Sequence, residues 1–174
     1  NALNETWTRG LRRRLVGSPL KKLDISVNLL FKSGTRYVLE ALPDSCITTL
    51  NLNCTGVNIE CASYFAALVK CKLERLIITG NKLKDNFIYA IKNYLAASSL
   101  VFLDLGYNMI TELGCISLFE VLPKMRFIKE IVLDSNEIST TYYWNELPKG
   151  FICTRQQIGK SFYSYNIRRG HDAR

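Results

Sequence analysis

Aliphatic residues recur along this chain at intervals of 26 to 28 residues. Leu20 opens LKKLDISVNLL, Ile47 opens ITTLNLNCTGV and Leu73 opens LERLIITGNKL. Leu100 then opens LVFLDLGYNMI, and Ile128 opens IKEIVLDSNEI. Each segment fits L-x-x-L-x-L-x-x-N-x-L with all four aliphatic positions filled. Leu23 and Ile25, two apart, predict a short strand with one buried face, and their counterparts in later units stack on them as a parallel ladder. Eighteen residues after the first four openings stand Val38, Phe65, Ile91 and Leu118; four residues further on stand Leu42, Val69, Leu95 and Leu122. That spacing predicts a helix with a single buried stripe. Every unit therefore reads as strand, turn, helix, and five units in phase make a repeat architecture.

One period before the first unit, Leu11 and Leu15 fit the two helix columns, Leu3 matches Leu30 and Asn1 matches Asn28. Residues 1–19 are thus expected to be the helical part of a repeat whose strand lies upstream, since an open repeat end exposes core. Residues 20–138 hold the five strand units. Asn28, Asn81, Asn108 and Asn136 form a polar column where strand passes into loop, with Thr55 in that place in the second unit. An Asn amide donates and accepts at once, so this column is expected to satisfy backbone groups where the ladder ends. After Asn136 the pattern fails, and seven aromatics crowd between Tyr142 and Tyr165. Residues 139–165 are expected to be an irregular aromatic cap hiding the last repeat's outer face. Residues 166–174 read as a basic, poorly ordered tail.

The period, the strand motif and the helix starts at Gly34–Val38 and Gly114–Leu118 resemble the leucine-rich repeat family, in particular its ribonuclease-inhibitor-like subclass. The resemblance covers about residues 1–147. It implies an α/β fold: a right-handed curved solenoid, the leucine-rich repeat horseshoe, with parallel strands on the concave side and helices on the convex side. Relatives of this kind include cytosolic immune receptors, GTPase-activating proteins, actin regulators and bacterial proteins delivered into host cells. The scaffold does not choose among those tasks.

The length of 174 residues with 48% hydrophobic content suits one domain with a substantial core, and no apolar run is long enough to span a membrane. The net charge of +8 is unevenly spread. Residues 1–22 carry +5, residues 149–174 carry +5, and residues 23–148 carry −2. The repeat body is near neutral, so nucleic acid is not the expected partner. Six cysteines, with no C-x-x-C pair and one histidine, His171, speak against a zinc site or a disulfide framework. Reduced thiols and a cytoplasmic setting are expected, the host-cell cytoplasm if the chain is a delivered bacterial protein.

Chemistry is hard to find. Gly159-Lys160-Ser161 mimics the end of a phosphate loop, but Thr154 stands where the first glycine belongs. His171 sits four residues from the end, a poor place for a catalytic base. Asp104 and Asp134 share a sheet face but not a column. The sequons at Asn4 and Asn53 matter only for a secreted chain. No enzyme activity, metal or cofactor is expected.

Recognition is better supported. The residues alternating with the core aliphatics form three columns: Lys22, Thr49, Arg75, Phe102, Glu130; then Asp24, Asn51, Ile77, Asp104, Val132; then Ser26, Asn53, Thr79, Gly106, Asp134. Ile77, Phe102 and Val132 form an apolar patch on an otherwise polar face, with Arg75 placed to stack on Phe102 and Tyr107 extending the patch. The expected partner-binding residues are Arg75, Ile77, Phe102, Asp104, Tyr107 and Val132. The chain is read as a non-catalytic protein-interaction module, a monomer in itself, belonging to a larger bacterial effector or intracellular receptor. The alternatives are a regulatory scaffold of GTPase-activating type, and attachment to anionic lipid or RNA through Arg12–Arg14, Lys21–Lys22 and Arg168–Arg169.

Overall fold

The computed structural model describes residues 5–138, 142–157 and 163–170. Helices α1 (Glu5–Arg9) and α2 (Leu11–Leu15) lead into β1 (Lys22–Asp24). Next come α3 (Phe31–Ala41), β2 (Thr49–Asn51), a 3-10 segment (Ile59–Val69) and β3 (Arg75–Ile77). They are followed by α4 (Lys84–Ala96), β4 (Phe102–Asp104), α5 (Glu112–Phe119), a 3-10 turn (Leu122–Lys124) and β5 (Glu130–Val132). A 3-10 turn (Tyr142–Glu146) then precedes two longer strands, β6 (Phe151–Gln157) and β7 (Tyr163–Arg169).

All seven strands join one sheet in the order β1-β2-β3-β4-β5-β7-β6. Strands β1 to β5 pair in parallel, and their register follows the repeat: Lys22, Thr49, Arg75, Phe102 and Glu130 lie side by side. The middle residue of each, Leu23, Leu50, Leu76, Leu103 and Ile131, turns into the core beside Val38, Phe65, Ile91 and Leu118. A three-residue strand cannot hold itself together; burial against both neighbouring repeats does so. Phe65 and Phe87 bind successive repeats edge to face, with ring centroids 5.2 Å apart.

The parallel arrangement ends at β5. Strand β7 pairs antiparallel with β5, and β6 antiparallel with β7. The amides of Leu133 and Ser135 donate to the carbonyls of Tyr165 and Tyr163, at 2.8 and 3.2 Å. Residues 151–157 are thus strand and not irregular cap, and residues 166–169 are strand and not tail; residues 139–141, 158–162 and 171–174 lie outside the described ones. The physical reason is alternation with a period of two: Tyr163, Tyr165 and Ile167 share one face, which lets an added strand satisfy the β5 edge without a crossover. Trp144 stacks on Tyr165 with centroids 5.0 Å apart, and Phe119 lies 5.5 Å from Trp144. These rings close the end of the core. Arg169 secures the hairpin, donating to the carbonyls of Ile128 and Met125 at 3.1 and 2.9 Å.

Two core positions also depart from the simple pattern. Val69, expected inside, is 46% exposed, and Leu68 is buried instead. The segment is a 3-10 helix with three residues per turn, so Leu68 follows Phe65 on the inner stripe. Leu20 is 43% exposed, although its counterparts Ile47, Leu73, Leu100 and Ile128 are buried.

One backbone feature repeats without a sequence signature. Val27, Cys54, Gly80, Tyr107 and Ser135, each just before the polar column, have φ of 56°, 52°, 68°, 54° and 52°. The loop turns through left-handed backbone in all five units, whatever residue stands there.

Candidate interaction surface

The polar column sits beneath this turn and is taken up by backbone. Asn81 accepts at Oδ1 from the amides of Thr55, Gly56 and Val57, and donates through Nδ2 to the carbonyls of Leu52, Ile78 and Thr79. The amide of Asn81 donates to Asn108 Oδ1 at 2.8 Å, and that of Asn108 to Asn136 Oδ1 at 3.0 Å. Asn28 donates to the carbonyls of Ile25 and Ser26. Thr55 supplies one bond, from Oγ1 to the Leu52 carbonyl at 2.8 Å. With their side chains so committed, these residues shape the loops that carry a surface.

That surface is the sheet face turned away from the helices. Strand register makes rows across it: Arg75, Phe102 and Glu130 in one, Ile77, Asp104 and Val132 in the next. The guanidinium carbon of Arg75 lies 3.8 Å from the centroid of the Phe102 ring, within cation–π range. Ile77, Phe102 and Val132 are half-buried, Arg75 is exposed, and Tyr107 is 60% exposed on the loop beyond β4. Asp104 stands between Ile77 and Val132, which are therefore two strand spacings, about 10 Å, apart and not direct neighbours. Its Oδ1 accepts from the Gly106 amide at 2.9 Å. Asp24 accepts from the Ser26 amide at Oδ1 and from Asn51 Nδ2 at Oδ2, both at 3.0 Å. Hydrogen bonding from the Ser26 side chain first, then from its amide and from Asn51, holds this carboxyl below the usual range.

The hairpin widens the same face with residues the repeat pattern did not supply. Arg168 stands beside Glu130 in the row of Phe102 and pairs with it, Nη2 to Oε1 2.8 Å. Asn166 continues the row of Val132, and the Ser164 hydroxyl donates to Asp134. Ile152, next to Arg168 on β6, is 57% exposed. The signal for these was the period-two alternation after Gly150, masked by the crowding of aromatics.

A second feature lies along the rim where the parallel strands begin. An open cavity of about 420 Å³ is lined by Cys71, Lys72, Ser99, Val101 and Phe127, with Thr48 and Glu74 beside it. Lys72, Ser99 and Phe127 each immediately precede the opening aliphatic of their unit, a column the motif leaves unspecified. Phe127 is 56% exposed.

Cys61, Cys71 and Cys115 are buried, and Cys153 is half-buried. Burial raises the pKa of Cys71 and of Cys115, and it pushes Cys153 up to about 11. Among the described residues no group of His, Cys, Asp and Glu is placed to hold a metal ion, and no helix is long and apolar enough to cross a membrane. His171 and Gly159–Ser161 fall outside the described residues.

Known proteins resemble this chain in part. No protein-family model matches it. A Tonsoku-like protein of Danio rerio is 32% identical over 115 residues, which is 62% of this chain but 8% of that protein. The chain spans less than a tenth of that relative. Among solved structures, the tropomodulin C-terminal domain from Caenorhabditis elegans superposes with a TM-score of 0.65 at 15% identity, covering 82% of this chain and 87% of that one. The fold is leucine-rich-repeat-like.

Proposed function

We propose that the chain is a non-catalytic protein-interaction module, one part of a longer protein, that holds a partner against the open face of its sheet. The observation that carries the reading is the Arg75–Phe102 stack, an aromatic and a cation fixed together on a face with no helix over it. In this reading the face is the concave side of a right-handed solenoid of ribonuclease-inhibitor-like period. Ile77 and Val132 flank the anchor, Asp104 and the Glu130–Arg168 pair set orientation, and Tyr107 reaches the partner from the loop. An aromatic–arginine centre ringed by polar groups is the composition of a binding hot spot. An interface needs about 800 Å² on each side, which the face of a seven-stranded sheet can supply.

The test is a pull-down with the intact chain and with a Phe102→Asp, Ile77→Asp double variant shown by circular dichroism to be folded. The expected result is a partner retained by the first and lost by the second. With that partner purified, Phe102→Ala should weaken binding by about 2 kcal/mol, roughly 30-fold, without lowering stability to match. Unchanged affinity assigns recognition elsewhere on the molecule.

A further inference from the structure

Basic residues from the two ends of the sequence lie on one edge of the sheet, Lys21 and Lys22 at β1 and Arg168 and Arg169 at β7. Backbone bonds join the strand beginnings in a chain: Thr48 to Lys21, Glu74 to Thr48, Val101 to Glu74, Lys129 to Val101 and Arg169 to Lys129, each amide donating to the preceding carbonyl. Lys22 and Arg168 close the two ends of the next row. Six strands at about 4.8 Å make this rim about 24 Å long.

Its positive charge is not spent internally. The ion pairs among the described residues are Arg12–Asp44, Lys32–Glu60, Arg36–Glu40, Lys92–Glu120 and Arg168–Glu130. None of them uses Lys21, Lys22, Lys72, Arg75 or Lys129, all of which are exposed. Against these five cations stand Glu74 on the rim and, in the following open-face row, Asp24 and Asp104. Neighbouring cations along the rim lie within about a Debye length, 8–10 Å, of one another, so their potentials add. Beside them opens the cavity, with Val101 and the exposed ring of Phe127 in its wall.

We propose that this rim binds an acidic, extended protein segment that seats one apolar side chain in the cavity between Val101 and Phe127. The proposal deepens the preceding reading and rests on it for the use of Arg75 beside Phe102. At about 3.3 Å per residue, seven or eight extended residues match the rim. Successive side chains of such a segment point to opposite sides, so carboxylates can meet Lys22 and Arg75 in the open-face row while an intervening apolar residue enters the cavity beside Lys72, Val101 and Lys129. A nucleic acid fits less well. Its unbroken phosphates would run over Glu74 and beside Asp24 and Asp104, whereas a peptide can place uncharged residues there.

The experiment is to pan a random twelve-residue peptide display library against the intact chain. Recovered peptides are then measured on the intact chain, on a Lys22→Glu, Lys72→Glu, Lys129→Glu variant and its Gln counterpart, and on the Phe102→Asp, Ile77→Asp variant. All three lysines are exposed, and circular dichroism checks each variant. The expected peptides carry several Asp or Glu around one Leu, Phe or Trp. They should bind at least tenfold more weakly to both lysine variants and lose affinity as salt rises. Peptides of neutral composition, peptides held equally by the lysine variants, or no enrichment would each overturn the proposal. So would twelve-nucleotide oligothymidylate binding the intact chain more tightly than any peptide. Peptides lost only with Phe102 and Ile77 leave the open-face reading standing without the rim; peptides lost with neither set remove both.

Discussion

At the scale of single residues, the repeat demands backbone geometry and buried polar groups that side chains meet unequally well. Position 27 is filled by Val, a β-branched residue, at φ 56°, with 74% of its surface exposed. Its side chain gains little from packing and opposes the left-handed turn. Val27→Gly should therefore raise unfolding stability by about 1 kcal/mol in urea titration, even after the entropy glycine adds to the unfolded chain. Gly80, at the same place in its unit, is the reverse case: a Cβ there would stand 2.8 Å from Cys54 Sγ. Asn108 is fully buried, donates to the carbonyls of Ile78 and Leu105, and accepts from the Asn81 amide. Asn108→Ala leaves the Asn81 amide without its acceptor and takes one of two side-chain donors from each carbonyl, since Asn81 still reaches Ile78 and Asn136 still reaches Leu105; it should cost about 2 kcal/mol by the same titration. Asn108→Thr should recover part of the loss, as Thr55 does for the Leu52 carbonyl.

At the scale of elements, each repeat organises the next one. Asp85, on α4, accepts from the amides of Thr111 and Gly114 at 2.8 and 3.1 Å and from the Thr111 hydroxyl at 2.7 Å. It caps α5 across a repeat boundary and sets a carboxylate at that helix's positive end. This contact explains the glycine at the start of α5, since a Cβ on Gly114 would lie 2.5 Å from Asp85 Oδ1. Asp85→Ala should cost about 2 kcal/mol. Hydrogen exchange should show the amides of Leu113 to Ile116 losing protection before those of α4. The hairpin works in the same manner at the last boundary, where Tyr165 and Trp144 take the place that a further repeat would fill.

For the whole molecule, the core is continuous from Leu11 to Ile167, so ionisation of buried groups acts on its overall stability. Cys71, Cys115 and Cys153 all have raised pKa values, chiefly because burial penalises the thiolate. The unfolded chain then loses protons at lower pH than the folded one. Stability should be insensitive to these thiols below about pH 8, and should fall as pH rises through 9 towards 11. Denaturant midpoints measured across that range check the sign, and a Cys153→Ser variant should show a shallower fall.

The sequence by itself determined the number of parallel strands, their spacing, the core columns and the side chains on the open face. Those follow from local periodicity, because a strand of period two and a helix near 3.6 leave their mark within one repeat. Arg75 beside Phe102 could be read from column alignment alone. Tertiary structure decided the rest. Whether Leu68 or Val69 faces inward depends on the winding of the 3-10 segment, which the interval of four did not reveal. The left-handed turn at Val27, Cys54 and Tyr107 is imposed by the stack and goes against the preference of the residues that adopt it. The antiparallel pairing of β7 with β5 joins residues 38 apart, such as Glu130 and Arg168, and no repeat column predicts a partner outside the repeat. The basic rim belongs to that second class. Its cations come from the approach to β1, from β3 and from the loops between repeats, and only strand register sets them along one edge.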